Sequence, residues 1–279
     1  MTALSPQLVE AFARAALAED VGRGDLTTGA TVDPATPGTA SLVFRVPGVV
    51  CGLPVAAAVF RALDAPIRFT VLRPDGSHLA AAEPVARIEG SATAILTGER
   101  VALNFVARLS ATATLTRRYV DAVRGTRAQI LDTRKTTPGL RQLEKYAVRT
   151  GGGRNHRLGL DDGVLIKDNH IAFAGGLAEA IRRARLAVPP GMRIEVEVDT
   201  LDQLREALGA GADMILLDNM PVSRLREAVP IAAGRVPLEA SGGIDLGNVR
   251  AAAEAGVDFI SVGALTHSAG SLDVSLEVP

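Results

Sequence analysis

The sequence predicts an α/β protein: an incomplete (β/α) barrel preceded by a smaller α/β unit. Two observations carry this. From residue 128 onwards, short apolar strand candidates alternate with amphipathic helical stretches. The polar and glycine residues of that region fall just after the strands, at what would be the C-terminal mouth of a barrel.

Taken in order, Leu8, Phe12, Ala15 and Ala16 share one face of a predicted helix over 5–18. The stretch Glu19 to Thr28 reads as a helix stop and turn. Its Gly22-x-Gly24 is no dinucleotide fingerprint, because no strand precedes it and no third glycine follows. Strands are predicted at 39–46, 66–72 and 84–89, separated by Pro-Gly, Asp-Gly and Glu-Gly turns, with a helix over 54–63. This small unit gathers no catalytic residue types and reads as structural.

A long helix is then predicted from Thr97 to about Val123, with Thr97 as its N-cap. That start puts Arg100 in the first turn, where a cation opposes the helix dipole unless an anion lies ahead of it. In the second region, strands are predicted at 128–132, 163–167, 193–198, 213–217, 236–240 and 258–262. Helices fall between them at 176–187, 200–209, 221–229 and 246–255, and no seventh or eighth strand can be placed. Leu272 to Val278 alternates and could be a strand returning to the first unit. The division is therefore 1–115 for the small domain with its linking helix, 116–269 for the barrel, and about 270–279 for the returning strand.

Composition narrows the class. At 279 residues and 47% apolar, the chain has ample material for a core, and with no Trp and two Tyr that core is aliphatic. The single cysteine, Cys51, excludes an intramolecular disulfide and suits a reducing compartment. With no signal-peptide pattern and no unbroken apolar span, the expectation is a soluble, cytoplasmic protein.

The net charge is −1, yet the window from Thr133 to Lys167 holds eight cations against Glu144, Asp161 and Asp162, an excess of +5. A near-neutral chain that gathers its positive charge in one glycine-punctuated stretch is built to hold a small polyanion. A nucleic-acid surface would call for a broader basic face and stacking aromatics. In Arg193-Ile-Glu-Val-Glu-Val-Asp199, Glu195, Glu197 and Asp199 share one strand face. The Ile/Val face suits the helix layer, so the three carboxylates are expected inside the barrel, opposite Arg134, Lys135, Arg157 and Lys167. Asp218, ending the next strand, would pair with Glu197. Ser241-Gly-Gly-Ile244 and Ser261-Val-Gly-Ala-Leu-Thr266 occupy the last two strand–loop junctions, where barrels commonly bind phosphate. The four histidines show no metal-ligand spacing. These readings together describe a barrel enzyme for a phosphorylated, multiply anionic small molecule.

Four motifs carry a resemblance: Thr133-Arg-Lys-Thr-Thr-Pro-Gly, Glu144-Lys-Tyr-Ala-Val, Gly151-Gly-Gly-x-Asn-His-Arg and Leu165-Ile-Lys-Asp-Asn-His. With them the chain resembles quinolinate phosphoribosyltransferase from Glu19 to about Ser268. Thr150 stands where many relatives carry Cys, and Ala111 where Gly is common.

The resemblance implies an incomplete TIM-like (β/α) barrel with a smaller N-terminal α/β open-sandwich domain. It implies phosphoribosyl transfer from phosphoribosyl diphosphate to quinolinate with decarboxylation, and Mg²⁺ held by Glu197 and Asp218 partly through substrate and water. Arg134, His156, Arg157 and Lys167 would hold the two quinolinate carboxylates beside Thr133, with Arg100 of a neighbouring subunit in a homodimer. Lys135 would act between substrate and diphosphate, with Glu197 and Asp218 as the catalytic carboxylates. Ser241, Gly242, Gly243, Val262, Gly263 and Ala264 would cradle the ribose phosphate. The alternatives are a molybdenum-uptake-associated paralogue of the same fold and a non-catalytic anion-binding protein.

Overall fold

The structure, a computed structural model, describes residues 4–63 and 65–279. The chain forms two compact units, one of residues up to Arg117 with Gln142–Gly152 and Ser268–Pro279, the other of Arg118–Arg141 and Gly153–His267.

The first unit begins with α1 (Pro6–Val21), which Ser5 caps by accepting from the Leu8 amide at 3.2 Å. The Gly22–Gly24 turn leads into a short helix that the sequence reading did not include, α2 (Leu26–Thr31), capped by Asp25. Next come β1 (Pro37–Phe44), β2 (Gly48–Val49), α3 (Leu53–Arg61), β3 (Ile67–Val71), β4 (His78–Leu79) and β5 (Glu83–Ser91). Strands β1, β5 and β3 form an antiparallel sheet whose buried face carries Leu42, Phe44 and Ile88, while β2 and β4 make a separate two-stranded pair. Cys51 is buried and free.

Helix α4 runs from Ala92 to Ala122, which corrects the predicted start at Thr97. The Ser91 hydroxyl accepts from the Ala94 amide at 3.3 Å, so the helix opens five residues earlier. Thr97 is internal, and its hydroxyl donates to Asp25 at 3.1 Å. Arg100 is the ninth residue of the helix, not a first-turn cation, so the dipole argument attached to it falls.

In the second unit, β6 (Gln129–Leu131) comes first. The chain then leaves it for α5 (Arg141–Thr150), a helix grouped with the first unit where the sequence division had kept it in the barrel. Its packing explains the excursion. Glu144 and Lys145 on α5 are buried, and Glu144 accepts from Arg108 of α4 at 3.1 Å.

The barrel resumes with β7 (Val164–Ile166), α6 (Asp168–Ala174), α7 (Leu177–Ala187), β8 (Ile194–Val198), α8 (Leu201–Gly209) and β9 (Met214–Asp218). It continues with α9 (Val222–Ala232), β10 (Leu238–Ser241), α10 (Val249–Glu254), β11 (Phe259–Ser261) and α11 (Ala264–His267). Six strands pair in the order β6-β11-β10-β9-β8-β7, all parallel, with β6 and β7 at the two edges. The predicted count of six thus holds.

The edge of β6 is occupied by the segment around Arg154. The Arg154 amide donates to Ile130 O at 2.8 Å, and the Asp132 amide to Arg154 O at 3.1 Å. This pairing fixes the start of Asn155-His156-Arg157. The chain closes with β12 (Val274–Glu277), antiparallel to β1 in the first unit. Among the described residues no helix is long and apolar enough to cross a membrane.

Candidate active site

A cavity of about 500 Å³ in the second unit collects the residues that follow the barrel strands. After β6, Thr133, Arg134 and Lys135 line it, and after β7, Lys167. Glu197 of β8, Asp218 of β9, and Ser241 with Gly242 and Gly243 after β10 complete the ring, while His156 and Arg157 join from the segment at the β6 edge.

Local chemistry sets each side chain. Asp132, fully buried, accepts from the His156 amide at 2.8 Å and from the Asn155 side chain, which anchors the Asn-His-Arg segment. His156 Nδ1 accepts from the Arg157 amide at 2.8 Å, and Nε2 stands 2.9 Å from Glu195 Oε2. That geometry assigns the Nε2–H tautomer, with both ring nitrogens engaged by the protein itself. Arg157 donates to Gly163 O at 3.2 Å. The carbonyl of Lys135 accepts from the Thr266 hydroxyl at 2.7 Å, which ties the loop after β6 to α11.

The carboxylates of β8 behave differently from one another. Glu195 and Glu197 face inward as the alternation requires, but Asp199 is exposed beyond the strand end, contrary to the expectation of three inward acids. Of the four cations expected opposite them, Lys167 pairs with Glu197 at 2.7 Å, and Glu195 takes His156 as its donor. Asp218 accepts from the Asn219 side chain at 2.6 Å, and burial together with the Asp199 charge holds its carboxyl above the ordinary range. Asn219 itself sits at φ 52°, a left-handed position its short polar side chain tolerates. Gly242, at φ 86°, has no room for a side chain: a Cβ would lie 2.2 Å from Asn219 Oδ1.

The positive side of the cavity is under electrostatic load. Arg134 Nε is buried with no hydrogen-bond partner among the described residues. Burial and the Arg134 charge depress the basicity of Arg157. A buried donor without an acceptor, beside a second crowded guanidinium, fits an anionic ligand supplied from outside the chain.

The second phosphate segment is less uniform than its motif. Val262 donates its amide to Leu131 O at 2.9 Å as part of the sheet. Gly263 and Ala264 open α11, whose first amides have no acceptor within the helix. None of these three lines the cavity, although a Cβ on Gly263 would lie 3.2 Å from Lys135 Cδ. Arg100 belongs to the other unit, with its side chain 64% exposed.

Sequence comparison matches this arrangement from end to end. Residues 25–110 match the model of the quinolinate phosphoribosyl transferase N-terminal domain, and residues 112–277 that of the C-terminal domain. The chain belongs to the quinolinate phosphoribosyl transferase family. It is 48% identical over 271 residues to the nicotinate-nucleotide pyrophosphorylase [carboxylating] of Mycobacterium leprae, covering 95% of each chain. It is 39% identical over 282 residues to the quinolinate phosphoribosyltransferase [decarboxylating] 2b, mitochondrial, of Nicotiana tabacum, covering 94% of this chain and 80% of that one. The solved nicotinate-nucleotide pyrophosphorylase of Francisella tularensis superposes with a TM-score of 0.95 at 42% identity, covering 99% and 98% of the two chains.

Against that family frame, the sequence reading missed Glu239 and Asn219, which line the same cavity, while Ser261 opens the predicted phosphate segment and lines it too. A signal was present for the first. Leu238-Glu-Ala-Ser241 alternates, so Glu239 shares the inward face with Ser241.

Proposed function

We propose that this family member transfers the phosphoribosyl group of phosphoribosyl diphosphate to quinolinate and releases diphosphate, CO₂ and nicotinate mononucleotide, a step of de novo NAD biosynthesis. The crowded pair Arg134 and Arg157, with a buried Nε lacking an acceptor, is the observation that carries the reading. A dicarboxylate would satisfy both guanidiniums, with Lys167 and Thr133 at the same wall of the cavity. His156, whose nitrogens are taken by Glu195 and the Arg157 amide, orients this wall through its ring rather than through a spare charge.

In the transfer, the pyridine nitrogen forms its bond to the anomeric carbon as the bond to the diphosphate oxygen breaks. Positive charge grows on the sugar, and Glu197 and Asp218 are the carboxylates placed to stabilise it. Lys135, whose side chain runs beside Gly263 at the cavity wall, would neutralise the leaving oxygen. Ser241, Gly242 and Gly243 supply a turn with positive φ at both glycines for the ribose phosphate. Gly263 and Ala264, which do not line the cavity itself, would extend it from the adjoining loop that Val262 holds to β6.

Burial, and after it the Asp199 charge, raises the pKa of Asp218, so the carboxylate would gain from a cation there, and its all-oxygen donors with those of Glu197 fit Mg²⁺. Bound there with Glu197 and Asp218, the ion would offset diphosphate charge. We further infer a cytoplasmic homodimer in which Arg100 serves the neighbouring subunit's site. Purified protein with quinolinate, phosphoribosyl diphosphate and Mg²⁺ should release CO₂ and diphosphate in equal amounts. Absence of quinolinate turnover overturns the assignment.

A further inference from the structure

At the cavity wall His156 meets two carboxylates, Glu195 and Glu239, that the transfer step does not use. His156 Nε2 stands 2.9 Å from Glu195 and 3.6 Å from Glu239, and ligand atoms of all three residues lie within 4.8 Å of one another. Glu239 is fully buried, and neither of its oxygens has a hydrogen-bond partner among the described residues. Ser261 lies two residues beyond Phe259, the register partner of Glu239 on the adjacent strand, and lines the same cavity, with no hydrogen bond joining it to Glu239.

Burial and the Glu195 charge push the Glu239 carboxyl up to about 8, so it carries a proton at neutral pH. The imidazole, by contrast, has its one N–H directed at Glu195 and accepts the Arg157 amide on its other nitrogen. The spare proton thus belongs to the Glu195–Glu239 pair, of which Glu239 is the member that lines the cavity. Both Glu239 and Ser261 line the cavity. A second cavity of about 410 Å³ reaches the same cluster from the strand-start side, between Gly163, Arg193 and Glu195.

We propose that Glu239 supplies, through the Ser261 hydroxyl, the proton that replaces the lost carboxylate on the pyridine ring. This rests on the quinolinate reading above. When the carbon–carboxylate bond breaks, CO₂ departs and its electron pair stays on the ring carbon beside the positive nitrogen. Ser261 gives its hydroxyl proton to that carbon while taking the Glu239 proton, so one C–H bond forms and Glu239 is left ionised. Two carboxylates side by side are unfavourable, and a proton from solvent, admitted through the second cavity, restores the acid. Until the ring carbon is protonated, CO₂ held beside it can return, so a ready acid commits the step.

The test is the ratio of CO₂ to diphosphate released by the whole enzyme with quinolinate, phosphoribosyl diphosphate and Mg²⁺. Wild-type protein should give equal amounts; if it gives neither, the quinolinate reading has failed and not this proposal. In Glu239→Gln and in Ser261→Ala, CO₂ release should fall about a hundredfold, while diphosphate release falls far less and the carboxylated mononucleotide accumulates. Gln matches the neutral acid in shape, and Ser261→Ala decides the matter if Glu239→Gln does not fold. Should both products fall together in the folded variants, or neither fall, the cluster only positions His156 and the proposal is overturned.

Discussion

Lys167 Nζ stands 2.7 Å from Glu197 Oε2, joining the end of β7 to β8 across adjacent strands of the open barrel. The lysine side chain is 43% exposed and the carboxylate 13%, so the pair does little for stability, on the order of 1 kcal/mol or less. Its value is positional, holding a carboxylate at the cavity wall in a fixed rotamer.

From that placement, Glu197→Gln and Asp218→Asn should lower kcat by a hundredfold or more, roughly, with a much smaller change in the KM for quinolinate. On the proposed mechanism, both carboxylates act on quinolinate transfer chiefly through charge that develops in the transition state. Steady-state kinetics of the two variants check this, and a raised KM at intact kcat would assign them to substrate binding instead.

Selectivity follows from Arg134 and Arg157. A substrate with one carboxylate leaves one guanidinium unpaired in a cavity that already crowds the two. Nicotinate should therefore be turned over less efficiently than quinolinate by about a hundredfold or more in kcat/KM. Equal efficiency for both acids would remove the arginine pair from substrate recognition.

Glu239 gives a stability signature with a definite sign. Its carboxyl is pushed up to about 8 in the folded state, against an ordinary value of 4.5. Folding therefore favours the protonated form. The stability it permits is complete below pH 4.5, declines as pH rises, and is fully lost above 8, by at most about 1.4 kcal/mol per pH unit. Glu239→Gln, neutral throughout, should lack this decline. Thermal melts of both proteins from pH 5 to 8.5 should diverge, with the variant gaining on the wild type as pH rises; parallel curves would mean that Glu239 is ionised in the fold.

The parts legible from sequence were those set by local periodicity. All six barrel strands were placed, because buried parallel strands are short apolar runs between amphipathic helices. Eleven of the residues singled out for the cavity lie in one ring, because strand ends converge by topology. What escaped was set by distant partners or by where an element begins and ends. The helix α5 looked like part of the barrel until its buried Glu144 was seen against Arg108, 36 positions away in the chain. Asp199 seemed inward by alternation alone, yet the strand ends at Val198 and its side chain is exposed. The start of α4 was lost because Ser91 follows a strand without a break, and its cap is visible only through the Ala94 amide.

Arg100 offers the sharpest test of assembly. It lies well inside α4, its side chain is 64% exposed, and among the described residues the one acid within 4 Å of it is Glu99, at 3.9 Å. A weakly paired, exposed arginine on a helix interior has no role in its own unit that its exposure would explain, whereas the family resemblance gives it one across a dimer interface. Arg100→Ala and Lys135→Ala homodimers should then each be nearly inactive, since every site lacks one charge. In a mixed dimer, one site combines both lesions and the other has neither. Random exchange of subunits puts about half of them into such hybrids and restores roughly a quarter of wild-type activity, by the two-fold symmetry of the assembly. The measurement is quinolinate turnover after mild dissociation and remixing, with hybrid formation followed by differently tagged chains. If hybrids form and activity does not return, Arg100 acts within its own chain and each site is complete in one subunit.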